Sequence, residues 1–293
     1  MNDRPAPLAH VLVATDFSEG ATRAALRAAS LPLQAGARLS LVHVMPERLP
    51  ARAAEEVERA AQRQLSRHAA MLKKAVVAPR AVVTSERGQG RPYAELDRLA
   101  RSLGAQLIVV GRHGERPVRD LLIGSTADRL VRVTRVPVLV VQAPVRGAYR
   151  RPLVGVDLEP SAERVVRAAQ QVCSDDVALT LAHAFDVSFE SLVKPALSAA
   201  GLADLRKEYR ADAQARLDAL VARLGPGRAP WQRAVLRGDA RQVMLTEAVR
   251  READLLVVGS RGRSSLAEAL LGGVSSWLVA AAPCDVLVVR SVR

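Results

Sequence analysis

The sequence predicts an α/β chain in which one doubly wound domain, an open parallel sheet covered by helices on both faces, is written twice in tandem. Three observations predict it. Short β-rich runs alternate with amphipathic helical segments along the whole chain, the pattern of parallel strands joined by crossover helices. The chain also repeats itself at near-constant offsets. "HVLVATDFSEGATRAAL" matches "RPLVGVDLEPSAERVV", with Asp16 on Asp157 at 141, and "LSLVHVMPE" matches "LTLAHAFDV", with His43 on His183 at 140. Finally, each half carries Gly-x-x-Gly, nine residues and a further Gly: Gly111, Gly114 and Gly124 match Gly259, Gly262 and Gly272 at an offset of 148.

In the first half, β-rich runs place strands near His10–Thr15, Leu39–Val44, Ala81–Ser85, Leu107–Gly111 and Val136–Val141. Between them "SEGATRAALRAASL", "AAEEVERAAQRQLSRHAAMLKK" and "AELDRLARSLG" have helical periodicity, and "GSTADRLVRV" begins a further helix. The second half repeats the order, with strands near Leu153–Asp157, Ala178–Ala184, Trp231–Leu236, Leu255–Gly259 and Asp285–Val289. "VLVAT", "LIVVG" and "LLVVG" are apolar on both faces, as central strands of a parallel sheet are. The offset grows by 8 between the histidines and the glycines. The extra residues fall around "ESLVKPALSAAGLADLRKEY", a segment placed to form a lid over the second half's site. Pro144, Gly147 and Pro152 break the junction "QAPVRGAYRRP". It divides the chain into domains 1–146 and 147–293, each of ordinary size.

Composition narrows the function classes. At 49% apolar but only 3% aromatic, the cores must be built from Ala, Val and Leu. No run approaches the roughly 18 apolar residues of a membrane span, and "MNDRPAPLAHVLVATD" lacks a continuous apolar signal core. A cytoplasmic protein is expected, without a membrane partner. Cys173 and Cys284 lie in no paired metal-ligand spacing, and no structural disulfide is expected. The net charge of +13 raises nucleic acid as a partner. However, 39 of the 43 basic residues are arginines scattered through the chain. No basic stretch is interleaved with aromatics for stacking bases, which argues for a solvated basic surface instead.

The glycines carry the chemistry. Gly111 closes a strand, Gly114 follows in the loop, and Gly124 opens a helix. Glycine permits positive φ and lets a ligand approach the backbone with no Cβ in the way. A loop of free N–H groups ending at a helix N-terminus suits an anion. Ser125 adds a hydroxyl, while Arg112, His113, Arg116 and Arg119 add charge. The reading is a phosphate cradle at the end of the fourth strand, with Asp16 ending the first strand and accepting hydrogen bonds from a ribose or base. A turn-forming role for the glycines and a helix-starting role for Asp16 are the alternative; recurrence of the whole set in both halves favours the cradle. No Gly-Lys-Ser/Thr occurs, so this is not a P-loop, and Gly88 and Gly90 are followed by Tyr93 where a dinucleotide fingerprint needs its third glycine.

With Gly111, Gly114, Gly124 and Ser125 spaced as Gly-x2-Gly-x9-Gly-Ser/Thr, "TDFSE" after the first strand and "HV" after the second, the chain resembles a tandem universal stress protein. The resemblance covers nearly the whole chain, one domain per half. It implies two Rossmann-like domains, each an open five-stranded parallel sheet in the order 3-2-1-4-5, and ATP with Mg²⁺ or Mn²⁺ as the ligand. Asp16 and the main chain of Val44 would hold the adenosine part; Gly111, Gly114, Gly124 and Ser125 would line the ribose and phosphates. The matching positions of the second half are Asp157, Ala184, Gly259, Gly262, Gly272 and Gly273. Gly273 stands where the family has Ser or Thr, and loses a hydroxyl contact worth ~1.5–3 kcal/mol. Ser275, Ser276, Arg261 and Arg263 lie nearby to compensate. The first site is therefore expected to be competent and the second weaker. The resemblance further implies an internal pseudo-dimer through the fifth strands, "VPVLVVQ" with "CDVLVVR", which covers two apolar edges, and a further homodimer of the chain.

Other residues read more plainly. His43 and His183 recur at matching strand ends, where local hydrogen bonding is expected rather than a catalytic pair. Cys284, before the last strand, reads as a small hydrophobe. Ala53–Lys74 and Leu202–Leu224 read as charged, alanine-rich helices with a solvated outer face. The function these features predict is an ATP-binding, nucleotide-responsive regulatory or interaction module of the stress response. The alternative is a scaffold or chaperone-like dimer of the same fold without nucleotide. Turnover needs an aligned water and an activating group; no residue is identifiable for it, so weak ATP hydrolysis at most is expected. An adenylate-forming enzyme would need His-x-Gly-His or Lys-Met-Ser-Lys, and neither occurs.

Overall fold

A computed structural model describes residues 5–47, 51–112, 124–187, 190, 194–225, 229–261 and 273–291. Its first half contains strands β1 (Leu8–Ala14), β2 (Leu33–Met45), β3 (Val82–Gln89), β4 (Leu107–Gly111) and β5 (Val138–Val141). The second contains β6 (Pro152–Gly155), β7 (Thr180–Phe185), β8 (Gln232–Arg237), β9 (Leu255–Arg261) and β10 (Asp285–Ser291). All ten form one sheet in the order β3-β2-β1-β4-β5-β10-β9-β6-β7-β8, which is 3-2-1-4-5 in each half, joined edge to edge. Every pairing is parallel except β5 with β10, where Leu139 stands opposite Leu287. That pair lies at an offset of 148, so an approximate two-fold relating the halves passes between them.

The helices are α1 (Glu19–Ala29), α2 (Ala51–Ala75), α3 (Pro92–Ser102) and α4 (Ser125–Val133), then α5 (Ala162–Val172), α6 (Ala199–Leu224), α7 (Ala240–Arg250) and α8 (Val274–Ala281). Strand alternation sends side chains to opposite faces. Val11, Val13 and Val109 pack with Ala24, Ala25 and Ala28 of α1 and Leu65 and Leu72 of α2. Leu12, Ile108 and Val110 pack with Leu96 of α3 and Leu130 of α4 on the other face. The methyl side chains of α1 let it lie close to the sheet, which is how so few aromatics suffice. Local chemistry starts the helices: Ser18 Oγ accepts from the Ala21 N–H at 3.1 Å, and the Asp239 carboxylate accepts from Arg241 and Gln242 N–H.

The seam between the halves holds a buried polar cluster. Asp285 is 0% exposed, and its Oδ1 accepts from the main-chain N–H groups of Gln142 and Ala143. Its Oδ2 accepts from Arg27 Nε at 2.9 Å and from the Tyr149 hydroxyl at 2.7 Å. Arg27 also donates to the Gly147 carbonyl and lies over the Tyr149 ring, 4.2 Å from its centroid. Burial, with the adjacent carboxylate, pushes the Tyr149 phenol well above its ordinary value and keeps it a donor. The junction between the halves is thus bound to both of them.

Several strand ends differ from expectation. β2 begins at Leu33 rather than Leu39; residues 34–36 are exposed, so no apolar pattern marked them. β1 and β6 stop at Ala14 and Gly155, which puts Asp16 and Asp157 in the turn beyond the strand rather than at its end.

Candidate functional site

The two halves build the same turn at that place. Asp16 Oδ1 accepts from both the N–H and the hydroxyl of Ser18, at 3.1 and 2.6 Å. Ser18 in turn caps α1. Asp157 Oδ1 likewise accepts from the Glu159 N–H at 3.2 Å. Such a turn swings the backbone of the next residue into the left-handed region: Phe17 has φ 68° and Leu158 φ 59°. Side chains of this size there cost about 1–2 kcal/mol each. Asp16 therefore supports the start of α1 through Ser18, whereas Asp157 closes a turn ahead of α5, which begins at Ala162 without a side-chain cap.

Next to β1 lies β4, with Val13 level with Val109, so the Asp16 turn adjoins Gly111 and Arg112. In an open sheet of this order that gap is the switch point where ligands bind. The Gly124 N–H donates to the Arg112 carbonyl at 2.8 Å, which brings together the residues on either side of 113–123. α4 then starts at Gly124 without a side-chain cap, leaving its first N–H groups to the site. Ser125 is exposed on the first turn. Asp128, also in that turn, is held by Arg132 at 3.0 Å. Val44 pairs with Gly88 at the end of β2, as Ala184 pairs with Leu236. Gly114, Gly262 and Gly272, with His113, Arg116, Arg119 and Arg263, lie outside the described residues.

Two site residues have structural contacts that their sequence reading did not include. Gly111 is not at positive φ. A Cβ there would come within 2.7 Å of the Gly20 carbonyl carbon, so its glycine is explained by the close approach of α1. Arg112, expected to add charge to the cradle, extends its guanidinium to the seam. Its Nη1 donates to Gln142 Oε1 at 2.8 Å and its Nη2 to the Ala280 carbonyl of α8 at 2.5 Å. Carbonyls at the end of a helix attract a cation, and the one on offer belongs to the other half.

His43 Nδ1 meets the Thr15 carbonyl at 2.9 Å, and His183 Nδ1 meets the Val156 carbonyl at 2.8 Å. Both histidines thus bond locally at the strand end. In the first half His43 is joined by aromatic contacts that the sequence reading missed. Phe17 stacks on His43 at 4.3 Å and meets His68 edge-on at 5.5 Å, and Thr15 Oγ1 lies 3.3 Å from His68 Nδ1. Burial holds His68 below the usual histidine value, against the pull of the Asp16 carboxylate. The second half has Leu158 in place of Phe17. It carries its extra length between β7 and α6, where residues 186–198 match 46–50 of the first half. From that segment Glu190 binds Arg206 of α6 and Arg237 at the end of β8. At α8, Gly273 is again an uncapped start, and Ser275 and Ser276 are buried. Burial pushes the Cys284 thiol up to about 12, so it stays a neutral, apolar group. Among the described residues no cluster of three metal-ligating side chains occurs, and no helix is long and apolar enough to cross a membrane.

Comparison with known proteins agrees with this architecture. A universal stress protein of Mycolicibacterium smegmatis is 29% identical over 202 residues, 64% of this chain and 63% of that relative's length. Universal stress protein A homolog 2 of Coxiella burnetii is 31% identical over 144 residues, 48% of this chain and 95% of the relative. The crystal structure of a universal stress protein from Archaeoglobus fulgidus superimposes with a TM-score of 0.71 at 18% identity, covering 97% of this chain and 98% of that one; it shows the shared fold. The family model of the universal stress proteins matches twice, over residues 8–142 and 148–290. The chain is therefore a tandem, two-domain member of the universal stress protein family.

Proposed function

We propose that the first half binds an adenine nucleotide, as ATP with Mg²⁺ or Mn²⁺, and that the protein is a cytoplasmic, nucleotide-responsive regulatory or interaction module of the stress response. One observation carries the reading. The Asp16 turn, the hydrogen bond that joins Arg112 to Gly124, and the uncapped start of α4 converge on the switch point between β1 and β4. Asp16 and the Val44 main chain would face the adenosine part. The phosphates would lie along the Gly111–Ser125 segment, whose N–H groups and helix end favour negative charge. With no cluster of metal-ligating side chains among the described residues, a divalent ion would be carried in by the phosphates. At most this arrangement supports slow hydrolysis.

Nucleotide contact would reach the other half through Arg112, whose backbone is bonded to Gly124 while its guanidinium holds α8. The second site, with Gly273 for Ser125, would be the weaker. A scaffold without nucleotide is the second reading, favoured by the packing of Gly111 on Gly20, which needs no ligand to explain it. Calorimetric titration of the nucleotide-stripped protein with Mg-ATP separates the two. Binding abolished by Gly114→Val and kept by Gly262→Val supports the proposal, and the reverse moves the working site to the second half. No binding in the parent leaves the scaffold.

A further inference from the structure

α4 and α8 are the short helices that start at the two sites, and they pack together across the seam, where Leu130, Val131, Leu278 and Val279 share one core. Neither start carries a side-chain cap. The other ends are held, each by an arginine from the opposite half. Arg290 Nη1, on β10, donates to the Val133 carbonyl at 2.7 Å and to the Arg132 carbonyl at 3.3 Å. Arg112 Nη2, just after β4, donates to the Ala280 carbonyl, and Ala280 matches Arg132 at the offset of 148. The last carbonyls of a helix have no partner within it and form its negative end, so a guanidinium answers both needs.

The two arginines are not copies of one another. Arg112 matches Ser260 and Arg290 matches Gln142 at the same offset, so duplication of the unit does not by itself account for the shared contact. Equivalent helix ends are met from two different places on the sheet. The consequence is the same in both: the helix that opens one half's site is anchored by the other half.

That anchor matters most for α4. The helix has nine residues, about two and a half turns, too short to hold without tertiary contacts. Its own cap residue, Thr134, donates its N–H to the Leu130 carbonyl, and its start is bonded through Gly124 to the Arg112 carbonyl. Beside it, Arg129 lies over the Tyr93 ring of α3, 5.4 Å from the centroid. Arg290 adds the donor for the last two carbonyls. Without it the final turn loses that tie, and the axis of α4 is less firmly set at the end that meets the ligand.

Resting on the nucleotide reading of the first site, we infer that Arg290 of the second half is a positioning residue for it: by holding the end of α4, it keeps the N–H groups at the start of α4 aimed at the phosphates. The second half then tunes the first site's affinity without touching the ligand.

The test is calorimetric titration of Mg-ATP into the full, nucleotide-stripped chain, with the melting temperature read alongside. Arg290→Met is expected to weaken ATP binding by about fivefold or more, and Arg290→Lys, which restores a donor and the charge, should recover most of the affinity. Arg216→Met, an exposed α6 position with the same loss of charge, should bind as the parent does. Equal weakening in Arg216→Met would trace the effect to net charge and overturns the inference. So does parent-like affinity in Arg290→Met, whether or not its melting temperature falls: Arg290 then serves stability alone, and the nucleotide reading stands without it. No binding in the parent overturns the nucleotide reading and the inference together. Should Arg290→Met not fold, Arg290→Gln, which copies the residue at the matching position 142, replaces it with the same loss expected.

Discussion

At the carboxyl ends of β1 and β6 the two halves keep the same backbone and fill it differently. Both have an aspartate whose Oδ1 closes a turn, a large residue at positive φ after it, and a histidine bonded to the carbonyl before it. Around that frame the first half places an aromatic group of Phe17, His43 and His68, whereas the second has Leu158 and a longer segment tied down through Glu190. The shared features are those that turn the chain from strand to helix, and any working copy of the fold needs them. What surrounds them is free to diverge once one chain carries two copies. The seam shows the same division: one groove holds Arg27, Tyr149 and Asp285, and the matching positions are Ala168, Leu8 and Pro137.

Breaking the filled groove tests that division most severely. Asp285 satisfies two main-chain N–H groups, an arginine and a phenol. Asp285→Ala strands all four and is expected to cost about 3–5 kcal/mol, as removal of one partner of a buried ion pair does. Pro137→Ala, at the matching position, should cost under ~1 kcal/mol, because no buried charge depends on it. Urea denaturation of the two variants reads the difference, and equal losses would mean that the seam is held by its strands alone.

The glycines sharpen the comparison next. Gly111→Ala forces a Cβ against the Gly20 backbone, which cannot give as a flexible side chain would, and about 1–3 kcal/mol of destabilisation is expected. Gly273→Ala meets nothing within 4 Å and starts a helix at ordinary φ, so its stability should change by less than ~0.5 kcal/mol. Gly104 and Glu252 match at an offset of 148 and both adopt positive φ, 68° and 48°. Gly104→Ala, with open space around it, should lose about 1 kcal/mol to backbone strain alone. For Glu252→Gly the relief of strain is offset by unfolded-chain entropy and by an exposed ion pair with Arg151, so a change within ~0.5 kcal/mol is expected. A large loss in that variant would show that the side chain is held by more than its backbone.

Much of this was legible in the sequence, because duplication supplied an internal control. The strand cores, "VLVAT" and "LIVVG", are apolar on both faces, and their order and sheet type follow from alternation with helices. Leu107–Gly111 was placed to the residue, since its run is bounded by Gly104 and Gly111. The exposed start of β2 left no pattern to read. The positive φ of Phe17 and Leu158 was hidden because neither is Gly or Asn, the types that announce such a backbone. His68 joins Phe17 only through the packing of α2 on the sheet, a contact across 51 positions of sequence that no local spacing encodes. The seam cluster was invisible for the same reason: Arg27, Tyr149 and Asp285 are far apart in the chain, and each alone reads as a surface residue.

Arg112 gives the smallest expected effect and the sharpest choice between readings. In the sequence it follows the first motif glycine, where a guanidinium beside a phosphate loop invites assignment as a nucleotide ligand. A charge-assisted contact of that kind is worth ~1.5–3 kcal/mol, so Arg112→Met would then weaken ATP binding by roughly tenfold to a hundredfold. The folded chain binds the same guanidinium to Gln142 of its own half and, across the seam, to the Ala280 carbonyl. From that geometry, Arg112→Met should change ATP affinity by less than about threefold, because its guanidinium already donates to Gln142 and Ala280 and its main-chain bond to Gly124 survives the substitution. What should change is the influence of nucleotide on the second half. ATP-dependent protection of the α8 amides in hydrogen exchange is expected in the parent and should be lost in the variant, since Ala280 is then no longer tied to residue 112. A tenfold loss of affinity would return Arg112 to the cradle; unchanged protection of α8 would leave the two sites energetically separate and confine the response to the first half.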